Sequence, residues 1–112
     1  MEAYMEPTEL AAFQRSLSAG DRLRRLRTRL GITTREIESL SRRVAEKEGN
    51  EGFIVSHARI TQIENNLSTP SLFKLFSLST IYGIAVSELM SFYIDPQSMM
   101  RHHMSRQAIF TQ

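Results

Sequence analysis

The sequence predicts an all-α domain, a compact bundle of five or six short helices. Three observations carry that expectation. Apolar residues recur at spacings of three and four along most of the chain, the period of a helix with one buried face. Most of these runs open on Ser, Thr or Asp and close on Gly or Asn, residues that start and stop helices. No convincing pair of alternating runs marks strands, and no segment repeats. With 112 residues, 41% of them apolar, the chain fits one domain with one modest core.

The elements follow in order. Thr8 is placed to cap a first helix, Glu9 to Leu17, with Leu10, Phe13 and Leu17 as its stripe, and Ser18-Ala19-Gly20 interrupts it. A second helix, Asp21 to Leu30, buries Leu23, Leu26 and Leu30 and ends at Gly31. Thr33 and Glu36 form a capping-box pair that opens a third helix. Ile37, Leu40 and Val44 face inward there, and the helix runs on through Glu48 to a break at Gly49-Asn50-Glu51-Gly52. Phe53-Ile54-Val55 is a short, β-prone link. Ser56 caps the next helix, whose inner stripe is Ile60, Ile63 and Leu67 and whose end is Asn65-Asn66. Thr69 and Pro70 start another helix bearing Leu72, Leu75, Phe76, Leu78 and Tyr82, stopped by Gly83. Ser87 caps a short helix through Leu89, Met90 and Tyr93, broken by Asp95-Pro96. Three regions result: a helical extension over 1–19, a central domain over 20–90, and a C-terminal extension over 91–112, partly disordered or dimer-forming.

Composition narrows the function classes. The chain has no cysteine, which excludes disulfides, thiolate metal sites and cysteine nucleophiles and fits a reducing cytoplasm. Met1 to Pro7 carry Glu2 and Glu6 without a basic cluster and do not read as a signal peptide. No apolar run approaches a membrane span, so no membrane partner is expected. The net charge of +2 is unevenly spread: residues 20–45 hold eight arginines against Asp21, Glu36 and Glu38. Arginine suits bidentate contacts to phosphate and guanine; the plainer alternative is a solvated face that keeps the protein soluble.

These residues carry a family resemblance. Leu23-Arg24-x-Leu26-Arg27 is followed by Gly31-Ile32-Thr33 and Glu36-Ile37, then by Val55-Ser56-x-x-x-Ile60-x-x-Ile63-Glu64-Asn65-Asn66. Pro70-Ser71-Leu72-x-x-Leu75 and Tyr82-Gly83-Ile84-x-Val86 complete the order. The stretch Gly20 to Leu89 resembles the Cro/repressor-type (XRE-like) helix-turn-helix domain. The resemblance implies a lambda-repressor-like bundle and sequence-specific binding of double-stranded DNA. Thr34 stands where the family usually has glutamine. The way from Leu40 to Ser56 is about a dozen residues longer than the ~3 to 4 residue turn of such pairs, so the connection is enlarged. Its excess, 42–52, is expected to bulge away from DNA, since phosphate would repel Glu46, Glu48 and Glu51.

Physical chemistry assigns roles along this pattern. A helix fits the major groove and reads base edges with residues near its N-terminus. The outer face of the helix opened by Ser56 consists of His57, Ala58, Arg59, Thr61 and Gln62, the expected base contacts. Arg59 suits guanine and Gln62 adenine. Thr33, Thr34 and Arg35 at a helix start, with Arg24, Arg27 and Ser56, are the expected phosphate contacts.

Other residues receive plainer roles. Glu64 is read as a structural carboxylate beside Arg24 or Arg27 rather than a catalytic acid. His102-His103 lacks further ligands at useful spacing and is not taken as a metal site. No nucleophile with a partner, phosphate loop or paired carboxylates suggests catalysis or a cofactor. The expected protein is a cytoplasmic transcriptional regulator acting as a homodimer. The alternative is a helical protein-interaction module, such as an antitoxin-like chain whose tail from Ser91 to Gln112 neutralises a partner.

Overall fold

The structure, a computed structural model, describes residues 6–9 and 17–94. Among these residues it is all-helical. The helices are α1 (Ala19–Arg29), α2 (Thr34–Glu48), α3 (His57–Glu64), α4 (Leu72–Tyr82) and α5 (Val86–Met90), with a 3-10 turn at Glu51–Phe53. Leu10 and Phe13, the Asp95-Pro96 break, the tail from Gln97 and the His102-His103 pair lie outside the described residues.

Local chemistry sets the helix ends. Ser18 accepts from the Asp21 N–H and caps α1, so Ser18-Ala19-Gly20 begins this helix instead of interrupting the chain. Gly31 follows α1 with φ 71°, a conformation that suits glycine. Thr33 and Glu36 form the expected capping box on α2. Ser56 caps α3. Ser71, not Thr69, caps α4 by accepting from Lys74 N–H; Pro70 lies before the helix, and a residue preceding proline is biased towards extended backbone. Ser87 lies inside α5, where Ala85 holds the cap position without a side-chain bond. Thr8 lies within the helical residues Pro7 to Glu9 instead of ahead of them.

The core joins α1 through α5. Leu23, Ile37, Val55, Ile60, Ile63, Leu75, Leu78, Tyr82 and Leu89 form one buried cluster. Burial pushes the Tyr82 phenol far above its ordinary pKa, with the Glu64 charge adding to the shift. Two expected core residues are displaced outward. Leu30 falls on the C-cap of α1, and Leu67 is 78% exposed beyond the end of α3. Each sits at or just outside a helix terminus, where the 3.6-residue period no longer dictates the direction of the side chain.

The long connection is docked, not slack. Past Gly49, which ends α2 with φ 66°, the chain turns back along the helix. Its backbone groups are satisfied by side chains, as burial requires. The buried Ser41 hydroxyl accepts from Val55 N–H at 2.9 Å and donates to Glu38 O at 2.8 Å. Lys74 Nζ donates to Ile54 O at 2.7 Å, and Ser77 Oγ donates to Phe53 O. Burial, followed by the nearby Arg59 charge, lowers the Lys74 pKa. The expected β-prone link is therefore a 3-10 turn followed by extended backbone held between α2 and α4.

The strongest interhelical bonds run from the end of α3 to α1. Arg27 donates from Nε to Glu64 Oε2 at 2.6 Å and from Nη2 to Oε1 at 2.9 Å, and its Nη1 donates to Ile32 O. The side chains are 14% and 3% exposed. The hydrogen bonds to Glu64 raise the Arg27 pKa against the opposing effect of burial. One residue on, Asn65 accepts from Arg24. Asn66, held at φ 61°, accepts from Gly20 N–H and donates to Ser18 Oγ.

Two stability outcomes follow. Arg27→Ala leaves the buried Glu64 carboxylate only its longer contact with Arg24 at 3.5 Å and should destabilise by about 3 to 5 kcal/mol, read as a fall in urea midpoint. Gly20→Ala should cost about 1 to 3 kcal/mol, because a Cβ there would lie under 3.0 Å from the carbonyl oxygens of Glu64 and Ile63.

Candidate nucleic-acid interface

α3 is anchored on one side and open on the other. Ile60, Ile63 and Glu64 are buried, whereas Ala58, Arg59, Thr61 and Gln62 are exposed and His57 is half-buried. This is the division that a groove-reading helix requires: an apolar side fixed to a scaffold and a polar side free to meet base edges. All five residues expected to contact bases therefore occur on one short helix at solvent-facing or edge positions.

Two of them are partly engaged. Arg59 Nη1 donates to Ser68 Oγ at 3.0 Å across the exposed surface, which restrains the long side chain without burying it. The Thr61 hydroxyl donates to His57 O, so a base contact from Thr61 through that hydrogen would need the side chain to turn. Ala58 and Gln62 have no such bond.

The start of α3 is fixed by α2. Glu38 Oε1 accepts from His57 N–H at 2.7 Å, and its Oε2 accepts from Arg42 at 3.1 Å. A carboxylate at a helix N-terminus complements the dipole there. The His57 N–H, then Arg42, hold the Glu38 carboxyl below its ordinary pKa. Glu36 is held low in the same direction by the N–H and hydroxyl of Thr33. Sequence reading missed Glu38, Ser68 and Ser41, and gave Asn66 only as a helix end. The i,i+4 spacing of Glu38 and Arg42 suggests their ion pair, but nothing local announces a bond to a residue nineteen positions away.

The expected phosphate contacts divide. Arg27 is withdrawn from this role: its guanidinium is committed to Glu64 and Ile32 O and is nearly buried. Thr33 is committed to Glu36 through both its N–H and its hydroxyl; the Ser56 hydroxyl accepts from Arg59 N–H and keeps its hydrogen to donate. Arg24 leans on Glu64 and Asn65 yet keeps 43% of its side chain exposed. Arg35 is exposed, and Thr34 is half-buried beside it at the first turn of α2. Arg35 lies three residues before Glu38, so the two neighbour each other on one flank of α2, next to the start of α3.

The acidic residues that follow Glu38 lie elsewhere. α2 continues ten residues past Glu38 to Glu48, about 15 Å at the helical rise. Glu46, Glu48 and Glu51 are all exposed at that remote end. The long connection thus consists of the last turns of α2 and a returning segment docked between α2 and α4.

Among the described residues no cluster of His, Asp or Glu could hold a metal ion, and no helix is long and apolar enough to cross a membrane. No family model matches this chain, and no match was found among curated proteins or solved structures.

The depressed Glu36 and Glu38 pKa values have a definite sign. Their stabilisation is present above the ordinary Glu value of about 4.3 and is lost as pH falls through the lower folded values. Acid unfolding followed by circular dichroism should show stability falling in that window. Glu36→Gln with Glu38→Gln should flatten the slope there; an unchanged acid limb would mean the two carboxylates are not the groups responsible.

Proposed function

We propose that this chain binds double-stranded DNA in a sequence-specific manner through α3, as a transcriptional regulator of the Cro/repressor type that its sequence resembles. The observation that carries the reading is the two-sidedness of α3, which buries Ile60, Ile63 and Glu64 and leaves Ala58, Arg59, Thr61 and Gln62 facing solvent. On this reading Arg59 pairs with a guanine and Gln62 with an adenine, while Arg24, Thr34 and Arg35 meet flanking phosphates. His57, Thr33 and Ser56 sit at the edges of the contact. A homodimer would place two such helices about one turn of duplex apart, on half-sites related by symmetry. The cysteine-free composition fits a cytoplasmic regulator.

Selection from random duplexes at low salt tests the reading, and it expects convergence on a defined motif. Failure of any duplex to enrich would refute it. Arg59→Ala should relax preference at one position by about 1 to 3 kcal/mol. Arg35→Ala should weaken all duplexes alike and lower the salt slope by about 1. Neutralising Glu46, Glu48 and Glu51 together should leave affinity unreduced; a loss would place the insertion against DNA.

A further inference from the structure

α4 is apolar around almost its whole circumference. Leu75, Leu78 and Tyr82 enter the core, yet Leu72, Phe73 and Phe76 on the other side are 65%, 47% and 39% exposed. A helix that is hydrophobic all round is ordinarily covered all round. The linker that follows α2 enlarges this face. The Phe53 ring packs edge-on at 5.1 Å from Phe73 and 5.4 Å from Phe76, making a three-ring ridge. Thr80 continues the stripe, four residues after Phe76 and seven after Phe73.

The charge pattern bears on what covers it. From Leu72 to Gly83 the sole charged residue is Lys74, and its ammonium is turned to Ile54 O on the linker side. A two-fold interface sets residues near its axis against their own copies, so any charge there would meet its like. This face carries none. Its surroundings are of both signs, with Glu51 just ahead of the ridge and Arg59 close enough to lower the Lys74 pKa, so self-association does not force like charges together. The exposed parts of Leu72, Phe73 and Phe76 come to on the order of 300 Å². That is more than scattered single residues give and suits the apolar centre of an interface of about 800 Å² per partner.

We propose that a second copy of this chain packs on the Leu72–Phe73–Phe76–Thr80 face, the two α4 helices meeting across a two-fold axis. The proposal deepens the reading of a dimeric DNA binder, because it names the contact that would set half-site separation. Its test uses no DNA, so the two can fail separately.

The full chain should give a light-scattering mass of twice 12.9 kDa. Phe76→Asp should return the mass to that of one chain with its helical circular dichroism retained. Because the chain has no cysteine, Thr80→Cys adds a single exposed thiol to the face. A short bis-maleimide should then join two chains, while Arg43→Cys, exposed on α2, should stay unjoined. A monomeric wild-type mass would overturn the proposal. So would a dimer that survives Phe76→Asp, or one in which Thr80→Cys joins no more than Arg43→Cys, since either would place the contact elsewhere, for instance in the chain's own tail.

Discussion

Three consecutive residues at the end of α3 hold the molecule's working geometry. Glu64 takes Arg27 in a bidentate pair, Asn65 takes Arg24, and Asn66 takes the Gly20 N–H and the Ser18 hydroxyl. Their partners lie on successive turns of α1, so the clasp runs along a helix instead of meeting it at one point. Gly20 lets it close, since its missing Cβ is the space occupied by the Glu64 and Ile63 carbonyls. At the other end Glu38 holds the first N–H of α3. The helix between and including these two fixings is only eight residues long, and Ile60 and Ile63 settle which side of it faces inward. The polar side then has one orientation. For a helix that reads bases, orientation is the property that matters most, because a bidentate contact tolerates little error in angle.

The same clasp accounts for the arginine pattern. Arginines of α1 look equivalent in sequence, yet they diverge in role once α3 is in place. Arg27 becomes internal and serves the fold. Arg24 is shared between the clasp and solvent. Arg22 turns the other way and lies over the Phe92 ring at 4.7 Å. The positive charge left at the surface is consequently smaller than the count of arginines suggests, since Arg27 is nearly buried and Arg24 is shared.

How much of this was legible follows the range of the interactions. The helices themselves, the capping box at Thr33 and Glu36, the Ser56 cap and the stops at Gly31, Gly49 and Gly83 are local, and pattern alone finds them. The structural role of Glu64 was also readable, since a carboxylate between two arginines has few other uses. Ser71 displaced Thr69 as a cap, and Ala85 took the cap position expected of Ser87, because proline geometry and tertiary packing outweighed the local preference. Ser41, Lys74 and Ser77 could not be read as linker anchors: each looks like an ordinary helix residue until the returning chain presents its carbonyls and amides. Glu38 and Ser68 were invisible for the same reason, each acting on an element distant in sequence. Leu67 continues an apolar period past the point where its helix ends, so pattern alone places it in the core while the structure exposes it.

The long connection between α2 and α3 is tied into this arrangement. The last turns of α2 carry the acidic residues away from α3, and the return path is sealed by bonds to α2 and α4. The central claim is that the outer side of α3, together with the first turn of α2, meets DNA. Backbone amide shifts recorded while a selected duplex is titrated into the full chain test it most directly. The account predicts that the largest changes fall at residues 33–35 and 57–62, with residues 46–52 nearly still. Changes centred on 46–52 or on α4, or a spectrum unmoved by duplex at low salt, would contradict it.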